Sequence, residues 1–411
     1  MLDINLIREN PEKIKKGIAD KGYDPSLVDR ILKVDEARRK LLLEVEDWRG
    51  QRNKLGKEDL EKAKKIKETL QKIEPDLAAV EEELKNLLWQ LPNPALAGVP
   101  IGEDERENVE IKTWGTIPQF DFPVKSHDQL GKDLDVIDTQ RAGKISGARF
   151  GYLKGDGVML EMALLDLGFK TLIKKGFTPI FPPVMIKKEV MEALGYNNKG
   201  FAETYLLPDD NLALIATAEH AIVPYYKDEV LNEADLPKRF VGFSSAFRRE
   251  SGSYGKDTKG IFRVHQFNKL EMVSFTRPED SEKEHEFFLS LEEELMQALE
   301  LPYHVLRICT GDLGDPVAAK YDIEAWFPSE GKYRETHSCS NCTDYQARRL
   351  NIKYRTTKNQ QQITEYVHIL NGSVFSERPI LAILENYQQK DGSVLIPPVL
   401  RDYIGKDKIS S

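Results

Sequence analysis

The chain has 411 residues, 40% of them hydrophobic, with 59 basic against 68 acidic side chains and a formal net charge of -9. That length predicts two domains and not one. The acidic balance excludes a protein coated in nucleic acid while leaving room for a local basic surface.

Three cysteines, Cys309, Cys339 and Cys342, are too few for a disulfide scaffold and suit a reducing cytoplasm. No stretch has the apolar length of a membrane span. The opening Met1-Leu2-Asp3-Ile4-Asn5 lacks the charged-then-apolar pattern of a secretion signal.

Residues 27–91 carry two lines of apolar residues at heptad spacing. The first is Leu27, Ile31, Val34, Leu41, Val45, Trp48 and Leu55, with Arg38 and Arg52 filling two slots. The second is Ala63, Ile66, Leu70, Ile73, Leu77, Val80, Leu84, Leu87 and Leu91. Each line makes a narrow seam on a helix, and the break near Gly56 lets the chain reverse. The pattern predicts an antiparallel hairpin of two helices, each roughly 40–50 Å long. Pro75 predicts a kink in the second helix and not a new domain, since the heptad phase survives across it. Residues 49–72, around the tip, hold nine basic and four acidic side chains. Two readings stand: a solvated coiled-coil face, or an arm whose outer part touches phosphates.

Pro92-Asn93-Pro94 ends the arm. Residues 1–97 therefore read as one domain built on the hairpin, 98–125 as a linker, and 126–411 as a second domain. Short β-like runs at 177–185, 212–216, 240–247 and 264–275, with helical stretches such as 282–299 between them, predict an α+β domain: an antiparallel sheet with helices outside.

Neither common glycine-rich phosphate loop is present, so a nucleotide must be held by another device. Arginine is the candidate, because its planar fork matches phosphate and carboxylate. Phe247-Arg248-Arg249-Glu250 and the run Phe262-Arg263-Val264-His265-Gln266-Phe267 up to Glu271 read as two strands joined by a loop over 251–260. Alternation would put Arg248 and Glu250 on one face, and Phe267, Lys269 and Glu271 on another. An exposed charged hairpin is the plainer reading of the same pattern. Cys339-Ser340-Asn341-Cys342 reads as a buried pair of thiols, since zinc would need two more ligands.

Phe247-Arg248-Arg249-Glu250 matches the FRxE core of motif 2 of class II aminoacyl-tRNA synthetases. The longer run from Phe247 to Glu271 resembles the seryl-tRNA synthetase family in particular. The stretch from Glu335-Thr336-His337-Ser338-Cys339 to Arg349 is similar to a seryl-specific segment. Leu370-Asn371-Gly372-Ser373, Arg378 and Leu384-Glu385-Asn386 resemble the seryl form of motif 3, and 176–183 resembles motif 1. This third motif is one residue shorter than usual and has Glu377 where glycine is common.

The resemblance implies a class II catalytic domain, an antiparallel β-sheet flanked by helices, behind an N-terminal antiparallel coiled-coil arm. It implies ATP and L-serine as substrates, Mg²⁺ as cofactor, serine tRNA as acceptor with selenocysteine tRNA left open, and a homodimer built on motif 1, with no membrane. Arg248, Glu335 and Arg378 would be catalytic. Arg248, Arg249, Glu250, Arg263, Val264, Phe267, Glu335, Thr336, His337, Ser338 and Arg378 would meet ATP, with the adenine between Phe267 and Arg378. Glu335 and Ser338 would hold Mg²⁺. Thr217, Ala218, Glu219, Arg248, Glu271, Asn371 and Ser373 would hold serine. His337 stands where serine is usual, either as a neutral neighbour of the metal or as a group titrating near neutral pH; the neutral reading is preferred. A ligase for another carrier would share these residues but would not need a basic-tipped hairpin. A non-catalytic coiled-coil protein would leave Arg248, Glu250, Glu335 and Arg378 without a purpose.

Overall fold

Asp3 accepts a hydrogen bond from the Asn5 backbone N–H at 2.8 Å and so starts α1 (Ile4–Glu9), as a side-chain cap does. Pro11, at the first position of α2 (Pro11–Ala19), lacks only an N–H that would be orphaned there anyway. The arm follows as α3 (Ser26–Asn53) and α4 (Leu60–Gln90). At 28 and 31 residues the two helices are about 42 and 46 Å long. The computed structural model describes residues 1–56, 59–195, 202–251, 260–358 and 360–410; the chain divides into the units Met1–Pro94 and Ala95–Ser411.

The expected seam forms the arm's core: Val45, Ile66, Leu70 and Leu77 are buried, with Leu41, Trp48, Leu55 and Ile73 packed on them. Asp59 accepts the Gly56 N–H at 3.1 Å as α4 begins. The helix assignment runs unbroken through Pro75. At one seam position a polar neighbour is the more deeply buried. Val34 is only half-buried, whereas Asp35 is fully buried. Arg8 clasps its carboxylate with two 2.7 Å hydrogen bonds, and Arg38 and Arg39 stand at 3.4 and 3.2 Å. Burial opposes the charge, and the three guanidinium groups overcome it, holding the carboxyl below its ordinary range.

In the second unit the strands of the large sheet are β1 (Val109–Trp114), β2 (Thr178–Ile180), β3 (Lys238–Phe247), β4 (Gln266–Thr276), β5 (Tyr303–Arg307), β6 (Ala319–Phe327), β7 (Lys332–Asn341) and β8 (His368–Ser376). Their spatial order is β1-β5-β6-β7-β8-β4-β3-β2. Neighbours run antiparallel except β2 and β3. Helices α5 (Asp156–Lys174), α6 (Glu219–Ile222), α7 (Ser281–Ala298), α8 (Tyr345–Leu350) and α9 (Arg378–Asn386) accompany it. From α5, α7 and α9, Leu164, Phe288, Leu291 and Leu384 enter one core with Leu270, Met272, Ile323 and Val374 of the sheet. That core covers one sheet face and leaves the other for chemistry.

Three expectations are corrected. The strand expected over 177–185 ends at Ile180, just before Pro182 and Pro183, which cannot donate to a ladder; Met185–Lys187 pairs instead with Leu212–Leu214. Arg248 and Glu250 do not share a strand face. β3 stops at Phe247, and Glu250 takes φ 51°, a left-handed turn conformation. Most of the loop over 251–260 lies outside the described residues. Within 98–125, Val109–Trp114 forms the edge strand β1 along β5, with Trp114 stacked on Tyr303 at 5.6 Å. Among the described residues, no helix is long and apolar enough to cross a membrane.

Arg8→Ala should destabilise the first unit by about 1–2 kcal/mol, less than a fully orphaned buried charge because Arg38 and Arg39 remain. Hydrogen exchange on the full chain is the check: protection should fall in α1 and α3 and hold in β4 and β8.

Candidate active site

On β4, Phe267, Lys269 and Glu271 are two residues apart and alternate with Leu270 and Met272 of the core, so they share the open face. On β6, Lys320 and Asp322 stand opposite Ser340 and Ser338 of β7. β7 then breaks its alternation. The register passes from Ile323 against His337 to Glu324 against Glu335, leaving Thr336 unmatched. Such a bulge re-aims side chains. Glu335, Thr336 and Ser338 all reach the same cavity, while His337 turns toward Phe375, 5.8 Å away. β8 has a matching irregularity, Val374 lying unmatched between Phe375 against Leu270 and Ser373 against Glu271. Gly372 lies at a close approach: a Cβ there would meet the Met272 methyl at 2.7 Å and the Glu292 carboxylate at 3.1 Å, and both side chains would have to shift.

Two adjoining cavities open on this face. One, of about 220 Å³, is lined by Arg248, Glu250, Phe262, Arg263, Val264, Phe267, Glu335, Thr336, Ser338, Ser373, Glu377 and Arg378. The other, of about 430 Å³, is lined by Thr217, Glu219, His220, Glu271, Ser340, Cys342 and Asn371. Arg248, Lys269, Lys320 and Ser338 line both. A roomier groove of about 570 Å³ along Asp128, Arg141 and Arg149 contains none of the expected site residues.

The charges are paired. Lys269 Nζ is 2.6 Å from Glu271 Oε2, to which Thr217 Oγ1 also donates at 3.1 Å. Arg263 donates to Glu250 at 3.0 Å, and Arg378 to Glu335 at 2.9 Å. Glu335 is 42% exposed to the cavity; burial opposes its charge, but Arg378 and Lys320 hold its carboxyl far below the ordinary range. A standing carboxylate and the Ser338 hydroxyl on one wall fit a hard cation whose remaining ligands come from phosphate or water. Arg248 Nε donates to Ala216 O at 3.3 Å, and its guanidinium lies 5.0 Å above the Phe267 ring. Behind the second cavity the buried Gln346 of α8 donates to Glu219 at 3.0 Å. Burial pushes the Glu219 carboxyl up to about 7, and burial likewise raises Glu271. Burial lowers His220 to about 3, so this imidazole is neutral.

Some expected residues lie elsewhere. His337 is in the core, bonded to Val374 O at 3.0 Å and held neutral by burial at about 4; the titrating reading is set aside. Arg249 is exposed over Tyr205 at 5.8 Å, and Ala218 is buried at the start of α6; neither lines either of these two cavities. Arg378 lies over Phe262 at 4.7 Å, not over Phe267. Ser373 lines the smaller cavity and Asn371 the larger. Glu377 accepts the Asn268 N–H at 3.3 Å, while the Asn268 side chain donates to Glu161 at 2.9 Å. Burial and the nearby Glu161 push Glu377 up to about 8. As site residues, Lys320, His220 and Gln346 escaped sequence reasoning, whereas alternation already sets Lys269 beside Phe267 and Glu271. For Lys320 the available signal was alternation along 319–327, with Lys320 and Asp322 two apart. No metal-holding cluster of three or more His, Cys, Asp or Glu occurs among the described residues.

The family model for the seryl-tRNA synthetase N-terminal domain matches residues 1–95, and that for the class II tRNA synthetase core domain (G, H, P, S and T) matches 205–387. A Serine--tRNA ligase of Dictyoglomus turgidum is 46% identical, covering 100% of this chain and 99% of that protein. The chain belongs to the seryl-tRNA synthetase family. Another member, a Serine--tRNA ligase of Thermobifida fusca, is 42% identical over 99% of this chain and 98% of that protein. Among solved structures of the family, the seryl-tRNA synthetase of Pyrococcus horikoshii complexed with ATP superposes with a TM-score of 0.94 at 41% identity, over 100% of this chain and 99% of that one. The cytoplasmic enzyme of Naegleria fowleri in complex with AMP gives 0.91 at 34%, with the same coverage. The α+β class II sheet expected from the sequence is the fold observed.

If Glu219 takes the serine ammonium it must be ionised, and burial has raised it to about 7. Affinity for L-serine should therefore strengthen roughly tenfold between pH 6 and 8, as the deprotonated fraction rises. Calorimetric titration of Glu219→Gln should show weaker binding and a flat profile over the same range. A wild-type affinity independent of pH would remove Glu219 from the ammonium site.

Proposed function

We propose that the chain activates L-serine with ATP to seryl-adenylate and passes the seryl group to the 3′ end of serine tRNA. The observation that carries this reading is the pair of cavities meeting at Arg248, Lys269, Lys320 and Ser338, in a chain homologous end to end with Serine--tRNA ligases.

Serine occupies the larger cavity. Glu219 and Thr217 take its ammonium, while Glu271 and Asn371 surround its hydroxyl, with Ser373 opposite Glu271 on the neighbouring strand. Alanine is rejected because these buried polar groups would be left unpaired; threonine keeps the hydroxyl and adds a methyl, so its rejection would have to be steric. ATP occupies the smaller cavity, with the adenine on Phe267 and its amino group toward Glu250, and with phosphate contacts from Arg263 and Arg378. A serine carboxylate oxygen attacks the α-phosphorus beside Arg248, and the bond to the bridging oxygen breaks, releasing pyrophosphate. No covalent enzyme intermediate is needed, so orientation and fixed charge do the catalysis. Mg²⁺ held by Glu335 and Ser338 would neutralise charge on the phosphates. A terminal ribose hydroxyl of the tRNA then attacks the acyl carbon and AMP leaves.

The arm serves the second step. Arg49, Arg52, Lys54, Lys62, Lys64, Lys65, Lys67 and Lys72 are all exposed, while the seam is buried within the arm itself; Lys57 lies outside the described residues. Of these cations, Arg49 pairs with Glu74 at 2.8 Å and Lys62 with Asp59 at 3.2 Å. A surface of this kind reads phosphate and helix shape and suits the long variable arm of serine tRNA. Assembly as a homodimer is supported by apolar side chains left exposed along and after α5: Met159, Met162, Ile173, Met185 and Phe181, the last 77% exposed. An apolar surface of this kind suits a two-fold partner.

Arg248→Ala should lower serine-dependent pyrophosphate exchange by about 10²–10³-fold, as loss of a preorganised charge-stabilising donor does; near-normal exchange in the folded variant would overturn the assignment. Reversing Arg52, Lys54, Lys64 and Lys65 to glutamate should weaken serine tRNA binding and flatten its salt dependence. Pyrophosphate exchange in that variant should stay at the wild-type rate. Full charging by the reversed variant at physiological salt would show that the arm has another purpose.

A further inference from the structure

We propose that the ammonium of Lys320 is a second catalytic cation of the activation step, joining Arg248 at the reacting α-phosphate. The proposal rests on the reading of the site as a serine-activating one. Lys320 lies on β6 opposite Ser340, two residues from Asp322 opposite Ser338, and β-alternation turns both toward the open face. It lines the two cavities together with Arg248, Lys269 and Ser338, which is where a carboxylate in one cavity and a phosphate in the other must meet.

The state of its charge fits the task. Lys320 Nζ is 2.9 Å from Asp322 Oδ2, with its side chain 21% exposed. Burial opposes the ammonium, but Asp322 and Glu335 hold it charged. An ammonium has three donors, and Asp322 occupies one. Lys269, by contrast, is engaged at 2.6 Å with Glu271, which the serine side chain requires. As the serine carboxylate oxygen bonds to phosphorus, negative charge builds on the non-bridging oxygens. The electron pair of the breaking bond leaves with pyrophosphate. Lys320 keeps its proton throughout and acts only as a fixed positive charge. Lysine suits this place because a point charge on a long stem follows a phosphate oxygen as the geometry changes.

The test uses the full-length enzyme. Lys320→Met should lower kcat for serine-dependent pyrophosphate exchange by about 10²-fold, with KM for serine within threefold of wild type and partial recovery in Lys320→Arg. Charging of tRNA from supplied seryl-adenylate should stay within threefold. Since Lys320→Met leaves Asp322 buried without its counter-charge, the double variant Lys320→Met/Asp322→Asn separates a catalytic from a structural part. It should remain at least tenfold impaired in exchange if Lys320 is catalytic. Exchange within threefold of wild type in either folded variant, or an equal loss in exchange and transfer, overturns the proposal. Absence of serine-dependent exchange in the wild type would instead overturn the reading of the site.

Discussion

Lys269 stands 2.6 Å from Glu271, Lys320 2.9 Å from Asp322 and Arg378 2.9 Å from Glu335, so cations and carboxylates sit in pairs on the open face of the large sheet. The constraint behind this is desolvation: a charge drawn out of water must meet an opposite charge or be abandoned. Such pairs add little net stability, because Coulomb attraction roughly repays the loss of water. Stability must come from the other face, where α5, α7 and α9 bury their apolar sides against the sheet. The sheet thus separates two tasks, cohesion on one face and charge placement on the other.

Placement of charge on a regular strand is limited to every second residue. The unmatched Thr336 on β7 lifts that limit. Glu335 and Ser338, three apart, would otherwise face opposite ways, and the bulge lets both line the smaller cavity. The same shift sends His337 to the interior. A histidine inside a segment rich in functional residues is thereby a packing residue, and its low basicity follows from where the bulge puts it.

Much of this was legible in the sequence. The heptad seam shows because its period is local and repeats over two long helices, and the motif segments show because reactive residues cluster in unbroken runs. Assignment of Arg248, Glu250, Glu219 and Glu271 to one site required the resemblance, since residues so far apart in the chain have no periodicity to join them. What stayed hidden was set by pairing between distant strands. The bulge at Thr336 exists only relative to β6. Lys320 looks like any surface lysine until β6 and β7 are laid side by side. Asp35 reads as a solvent-facing heptad position because its partner Arg8 belongs to a different helix. The placement of Arg378 over Phe262 likewise depends on a tertiary contact that spacing does not encode.

β1 bears on how this architecture can be divided. Val109–Trp114 comes soon after the arm in the chain, yet it closes one edge of the large sheet along β5 and stacks Trp114 on Tyr303. A shortened chain begun after this strand would bare the β5 backbone and invite edge-to-edge association. The natural joint for exchanging arms between relatives, or for grafting a different N-terminal module onto this sheet, therefore lies at the prolines ending the hairpin and upstream of β1.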